Sequence, residues 1–196
     1  MFTVLKNTTY RHLFLAQVIA LIGTGLITIA LALQAYDIAK GQAAQVLGIA
    51  LAIKMIAYIG VAPIASAFAE RLPRKKVLVG LDVIRALTAL CLPFVTQIWQ
   101  IYILIVILQS ASAAFTPTFQ AMIPEVLPIE EEYTKALSLS RLAYDLENII
   151  SPMLAGLLLT VMSYHNLFLG TVVGFIGSAL FVVSAKLPNA KMPEFI

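Results

Sequence analysis

The sequence is poor in the residues that fixed-site chemistry most often uses. It holds a single cysteine, Cys91, and two histidines, His12 and His165, in 196 residues. One cysteine cannot build an intrachain disulfide framework or a thiolate zinc site, and two distant histidines do not make up the deficit. Charge is scarce as well, at 12% of residues, where soluble domains carry about 25%. The 13 basic and 10 acidic residues leave a net +3, too small and too dispersed for a nucleic-acid partner. Walker loop, His-rich tract, Ser-His-Asp order and HExxH helix are all missing, so neither an ATP-driven pump nor an enzyme is indicated, with no catalytic residue, metal or cofactor implied. What the chain has in excess is oil. Hydrophobic residues make up 61% of it and the mean hydropathy is +0.95. A soluble fold of that composition would have almost nothing left for a water-facing surface, so the chain is read as a membrane protein.

A membrane-crossing helix needs about 20 mostly apolar residues. Six such runs are predicted, at 12–35, 46–69, 77–95, 99–123, 136–162 and 166–185, with a turn around Lys40 and Gly41 and a Trp99/Tyr102 pair suited to the headgroup level. Strand-type alternation is missing, and backbone amides in hydrocarbon must bond within a helix. Ten of the 13 basic residues fall on one side: Lys6, Arg11, Arg71, Arg74, Lys75, Lys76, Lys135, Arg141, Lys186 and Lys191. Only Lys40 falls opposite, which predicts both termini in the cytoplasm, with 191–196 opening a cytoplasmic linker or tail. The first run is too long for a cleaved signal peptide. Pro63 in the second run and Pro152 in the fifth, with Gly80 and Gly170 in the runs that follow them, trace a faint repeat whose halves cross the membrane in opposite senses.

The segment Ser66-Ala-Phe-Ala-Glu70-Arg71-Leu-Pro73-Arg74-Lys75-Lys76 resembles the loop signature of the major facilitator superfamily. Ser66 and Pro73 stand where the signature has glycines, Glu70 where it has Asp, Arg71 at its basic position, and Arg74, Lys75 and Lys76 in its basic cluster. Asp82-Val-Ile-Arg85-Ala in the third run and Phe115-Thr-Pro117-Thr-Phe-Gln-Ala-Met-Ile-Pro124 in the fourth extend the likeness to the branch containing siderophore exporters and drug and metal efflux permeases. Asp82 and Arg85, at i and i+3, share a helix face and can neutralise each other. Pro124 is expected to end the fourth span, and Glu130-Glu131-Glu132 to open the fifth helix where its dipole favours acids. In the fifth run Glu147, Ser151, Pro152, Ala155 and Gly156 resemble the superfamily's antiporter signature, in which small residues and a proline allow close helix approach. Glu147 is a carboxylate where that signature has glycine.

Charges inside a span cost about 2.5–3.5 kcal/mol each on insertion scales, so they must face protein or a wet cavity. Arg141 and Asp145 form an i, i+4 pair, whereas Glu147 lies about 200° around the helix from Asp145. Glu147 or Asp145 is therefore the proton-coupling candidate, with structural pairing to Lys54 or Arg85 as the other reading. Glu70, Arg71, Arg74, Lys75, Asp82, Arg85 and Arg141 are the gating-loop and ion-pair candidates. The family arrangement implies a cavity lined by the first and fourth helices, with Gln17, Gly23, Thr24, Thr28, Gln109, Ser112 and Thr116 as candidates and Lys54 beside them. Ser151, Pro152 and Gly156 carry the fifth-helix signature.

The resemblance thus implies an all-α membrane protein, half of a major facilitator fold built as two inverted three-helix repeats in a bacterial inner membrane. Its implied work is proton-coupled efflux of a small molecule or a metal- or siderophore-type solute by alternating access. The implied partners are the bilayer, the solute, protons and a second six-helix half in the same chain or another subunit. A truncated or non-transporting assembly partner and a homodimeric half-transporter are the alternatives.

Overall fold

The computed structural model describes residues 2–69 and 72–186. Glu70 and Arg71 of the loop signature, and the expected 191–196 tail, lie outside these residues. Among the described residues there are six long helices and no strand: α1 (Thr8–Ala39), α2 (Ala43–Ala69), α3 (Arg74–Cys91), α4 (Ile98–Val126), α5 (Glu130–Leu159) and α6 (Tyr164–Ser184). A short 3-10 turn, Phe2–Lys6, precedes α1, and Leu92–Phe94 extends α3. All six helices are long and apolar enough to cross a membrane. The expected runs sit inside these helices or overhang them by a few residues. The fifth helix ends at Leu159 rather than 162, where Thr160, Val161 and Met162 turn back onto Leu157 and Leu158 carbonyls.

Pro124 does not end α4, contrary to expectation. It lies two residues before Val126, and the last turn still closes through the Leu127 N–H to the Ile123 carbonyl at 2.8 Å. A proline that close to the end gives up only its own N–H bond and leaves the final turn to the residues after it. α5 does open on Glu130, Glu131 and Glu132, beside the positive end of its dipole. Lys40, in the left-handed region at φ 41°, and Gly41 at φ 107° reverse the chain between α1 and α2.

The packing reproduces the inverted repeat. α1 packs on α6, as α4 packs on α3; α2 packs on α4, as α5 packs on α1; and α3 packs on α6. Exchanging helices 1, 2 and 3 with 4, 5 and 6 leaves this neighbour pattern unchanged, which is what two three-helix units related by a two-fold axis in the membrane plane produce.

Lipid is as apolar as leucine, so close van der Waals contact and polar bonds between helices replace hydrophobic burial as the binding force. The α1/α6 crossing shows both. A Cβ on Gly174 would meet the Cα of Gly23 and the carbonyl of Ile19 at 3.2 Å, and one on Gly23 would meet the Thr171 carbonyl at 3.3 Å. That proximity lets the Thr171 hydroxyl donate to the Gly23 carbonyl at 3.0 Å. α2 and α5, by contrast, leave Ile56, Ile59, Ile149, Met153 and Leu157 exposed. Replacing Gly174 with valine should part α1 from α6 and cost about 1–3 kcal/mol as overpacking. Unfolding of the purified protein in detergent checks this; a Gly174→Val protein as stable as the parent would show that the crossing is not tight.

Candidate functional site

A cavity of about 190 Å³ lies between α1, α2, α4 and α5, with one residue of α3 in its wall. Its lining falls near the middle of every helix that contributes: Gln17 to Ile29 on α1, Lys54 and Tyr58 on α2, Arg85 on α3, Ser112 to Thr116 on α4, and Tyr144 to Pro152 on α5. In a bundle whose helices span the bilayer, this is midplane depth.

The wall on α1 and α4 is polar but uncharged. Thr24 and Thr28 donate their hydroxyls back to the Ala20 and Thr24 carbonyls, at 2.9 and 2.8 Å, which leaves oxygen lone pairs toward the cavity. Gln17 is locked to α5, donating to the Ser140 hydroxyl at 2.6 Å, while that hydroxyl donates to the Gln17 Oε1 at 3.0 Å. Thr116 and Tyr144 share a hydrogen bond of 3.0 Å between α4 and α5.

The charges come from α2, α3 and α5. Arg85 is 3% exposed and Asp82 is fully buried; the two form an ion pair, and Ser178 of α6 donates to the second Asp82 oxygen at 2.7 Å. The Arg85 guanidinium is stacked between Phe115 and Phe175, 4.2 and 4.5 Å from their ring centroids. Two aromatic faces and a carboxylate replace the water that a guanidinium would otherwise need, although its Nε is left without a partner. Lys54 and Glu147 are arranged differently. Both line the cavity and Lys54 is the cation whose charge bears on Glu147, yet among the described residues neither forms an ion pair within 4 Å.

Beside Glu147, α1 touches α5 at Gly25. A Cβ there would overlap the Cβ and Oγ of Ser151 and come within 3.2 Å of the Glu147 Oε1. Only glycine fits, and the contact is one wall of the cavity.

Of the residues expected from the sequence, Gln17, Thr24, Thr28, Lys54, Arg85, Ser112, Thr116, Glu147, Ser151 and Pro152 meet at this cavity. Asp145 does not. It lies on the outer side of α5, paired with Arg141 at 3.7 Å, the two side chains 64% and 82% exposed, because two residues along a helix turn the side chain to the far face. Gly23 serves the α6 crossing instead, and Gln109 is half-buried outside the lining, one turn beyond Ser112. Gly156 faces open space; the small-residue contact of α5 is made five residues earlier by Ser151, about 140° around the helix, and the glycine is supplied from α1 by Gly25.

At one end of the bundle the basic cluster is tied to other helix ends. Arg74 bonds the Ala121 carbonyl at 2.8 Å and pairs with Glu125 of α4, and Lys75 donates to the Ala185 carbonyl at 2.8 Å, at the negative end of α6. Gly25, Tyr58, Tyr144, Asn148 and Glu125 were not read from the sequence as site residues. Tyr58 lies one turn from Lys54, and Asn148 one turn from Tyr144, so the helical period was the signal available.

A polar, charged cavity at the midplane of two inverted three-helix units is the architecture of half a secondary transporter. The chain belongs to the Major Facilitator Superfamily, whose pattern it matches over residues 13–195, and it is a multi-pass membrane protein. It is similar to Macrolide efflux protein A of Streptococcus pyogenes, 26% identical over 185 residues that cover 92% of this chain and 45% of that protein. Macrolide efflux protein A of Enterococcus faecalis is 27% identical over 151 residues, 74% of this chain and 46% of the relative. An uncharacterised MFS-type transporter, YfiS of Bacillus subtilis, is 28% identical over 125 residues, 64% of this chain and 28% of the relative. The chain thus spans about half the length of the curated relatives it matches.

Removing one partner of a buried ion pair costs about 3–5 kcal/mol, whereas replacing both with apolar or neutral groups of similar volume costs far less. Arg85→Ala is therefore expected to destabilise the protein more than the double variant Asp82→Asn/Arg85→Met. Unfolding in detergent measures both; a double variant less stable than the single would show that the pair is not the local constraint.

Proposed function

We propose that the chain forms one half of a proton-coupled exporter that moves a small solute across a bacterial inner membrane by alternating access, with Glu147 as the proton-carrying group. The observation that carries this reading is Glu147 in the midplane cavity, without an ion-pair partner among the described residues, beside the α1/α5 contact. Rocking of helices about that contact changes the surroundings of the carboxylate. A proton on it therefore favours one state over the other by its difference in affinity for the two. The titratable or charged side chains that line the same cavity are Lys54 and Tyr58 of α2, Arg85 of α3 with Asp82 behind it, and Tyr144 of α5; α1 and α4 contribute none to it.

A second six-helix half, in the same chain or another subunit, completes the cavity in this reading. The lengths of the relatives support it, as does the outer face of α5. Arg141 follows Ser140, which bonds Gln17 of α1, so the exposed Arg141–Asp145 pair sits well inside the bundle's length, where protein suits it better than lipid. The names of the relatives make a macrolide the probe of choice.

In everted vesicles carrying the chain, alone or with a second six-helix half, an imposed proton gradient should drive uptake of a radiolabelled macrolide. Glu147→Gln should reduce the gradient-driven component at least about tenfold, the size of one 1.4 kcal/mol coupling term, while Asp145→Asn retains it. A Glu147→Gln protein that responds fully to the gradient removes the proton role.

The reading also sets both termini in the cytoplasm. With Cys91 replaced by serine, a membrane-impermeant maleimide should label Ser163→Cys in intact cells and Lys186→Cys only after lysis. The reverse pattern would invert the topology.

A further inference from the structure

A second cavity, distinct from the transport site, runs along the outside of the bundle between α3 and α6. It has a volume of about 380 Å³ and is lined by Val79, Val83, Leu87, Leu90, Val172, Ile176 and their apolar neighbours, with Asp82 at its floor, fully buried and bonded to Arg85 and Ser178. Its lining extends from Val79 to Leu90 on α3 and, antiparallel, from Val183 back to Val172 on α6. Each stretch is 12 residues, whose 11 steps of 1.5 Å rise about 16 Å. That is about half of a hydrocarbon core about 30 Å thick, and on α3 it runs from the Lys76 side to just past Arg85 at midplane depth.

The mouth of this groove is basic. Lys76 precedes Val79 by three residues, one turn back on α3, and Lys186 follows Val183 by three, just past the extended Ala185 that caps α6. The bond from Lys75 to the Ala185 carbonyl holds these two helix ends together. Both Lys76 and Lys186 are exposed, and among the described residues neither takes part in an ion pair. Among the described residues the acids at this end are Glu125, which pairs with Arg74, and Glu130, Glu131 and Glu132, which open α5.

We propose that the α3/α6 groove is a binding site for one anionic phospholipid, with an acyl chain along the groove and the phosphate of its headgroup between Lys76 and Lys186. An apolar slot of this length selects a lipid chain, and two lysines at its mouth, with no acid paired to them among the described residues, select a negative headgroup. The site is independent of the transport reading, because it uses no residue that carries solute or protons.

The test is lipid retention by the purified full chain, measured by native mass spectrometry after equilibration with equal amounts of phosphatidylglycerol and phosphatidylcholine of identical chains. Membrane-surface lysines contribute about 1 kcal/mol each toward anionic lipid, so the two together predict a preference of about 30-fold for one phosphatidylglycerol. Lys76→Gln/Lys186→Gln should abolish the preference, and Val83→Trp, which fills the groove, should lower retention of both lipids. Lys135→Gln/Arg141→Gln, an equal loss of charge on α5, which packs chiefly on α1 rather than on α3 or α6, should leave the preference intact. Equal retention of the two lipids by the parent chain, or equal loss of preference in both double variants, overturns the site. So does displacement of the retained lipid by glycerol phosphate without acyl chains, which would make the lysines a phosphate site and the groove irrelevant.

Discussion

Hydrocarbon accepts a charge only if protein or trapped water stands in for the hydration it has lost, and the interior of this bundle is organised around that constraint. Lys54, Asp82, Arg85 and Glu147 all lie near the middle of their helices, and they are accommodated in two ways. Asp82 and Arg85 close on each other, with Ser178 and two phenylalanine rings completing the enclosure. Partners drawn from α3, α4 and α6 make that cluster a structural joint between the two repeats. Lys54 and Glu147 are held apart across a cavity and depend on what fills it. The fold thus keeps its closed and its open charges on different helices, the closed pair on α3 and the open ones on α2 and α5.

The inverted repeat sets α1 between α6 and α5. α1 is gripped on two sides by glycine contacts only two residues apart, Gly23 against α6 and Gly25 against α5. Two residues correspond to about 200° around a helix, so these contacts oppose each other. The Gly23 side is reinforced by the Thr171 bond and backbone-to-backbone proximity. On the Gly25 side the neighbour is a serine side chain, with the Glu147 carboxylate next to it. The α1/α6 crossing is therefore backbone against backbone, whereas the α1/α5 contact, tied also by the Gln17–Ser140 bonds, sets side chains and the Glu147 carboxylate against α1.

The membrane class, the six helices, the Asp82–Arg85 pair and most of the cavity wall were legible in the sequence. Long apolar runs leave the backbone no choice but helix, and an i, i+3 acid and base inside a span have few other ways to be accommodated. Helical angle alone separated Glu147 from Asp145, and the structure puts them on opposite faces of α5 as that angle requires. What local spacing could not supply was partners from other helices. Phe115 and Phe175 read as ordinary apolar residues until α3 brings Arg85 between them, and Glu125 reads as a solvated acid until Arg74 reaches it. Gly25 was passed over while Gly156 was chosen, because a family signature indicates that a close approach exists but not which of two helices supplies the missing side chain.

The two faces of α5 bear on how such a half could work with another. Glu147 points into the cavity and the Arg141–Asp145 pair points away from it, on a helix held to α1 by the Gln17–Ser140 bonds and the Gly25–Ser151 contact. A movement of α5 relative to α1 shifts both faces together, because a helix is stiff over the two turns that separate Arg141 from Glu147. In the proposed mechanism, whatever covers the outer pair would be coupled to the protonation of the inner carboxylate through a single rigid element. Coupling of that kind needs no relay of side chains across the bundle. It needs α5 to carry charge on two faces, and about 200° of helix between Asp145 and Glu147 supplies it.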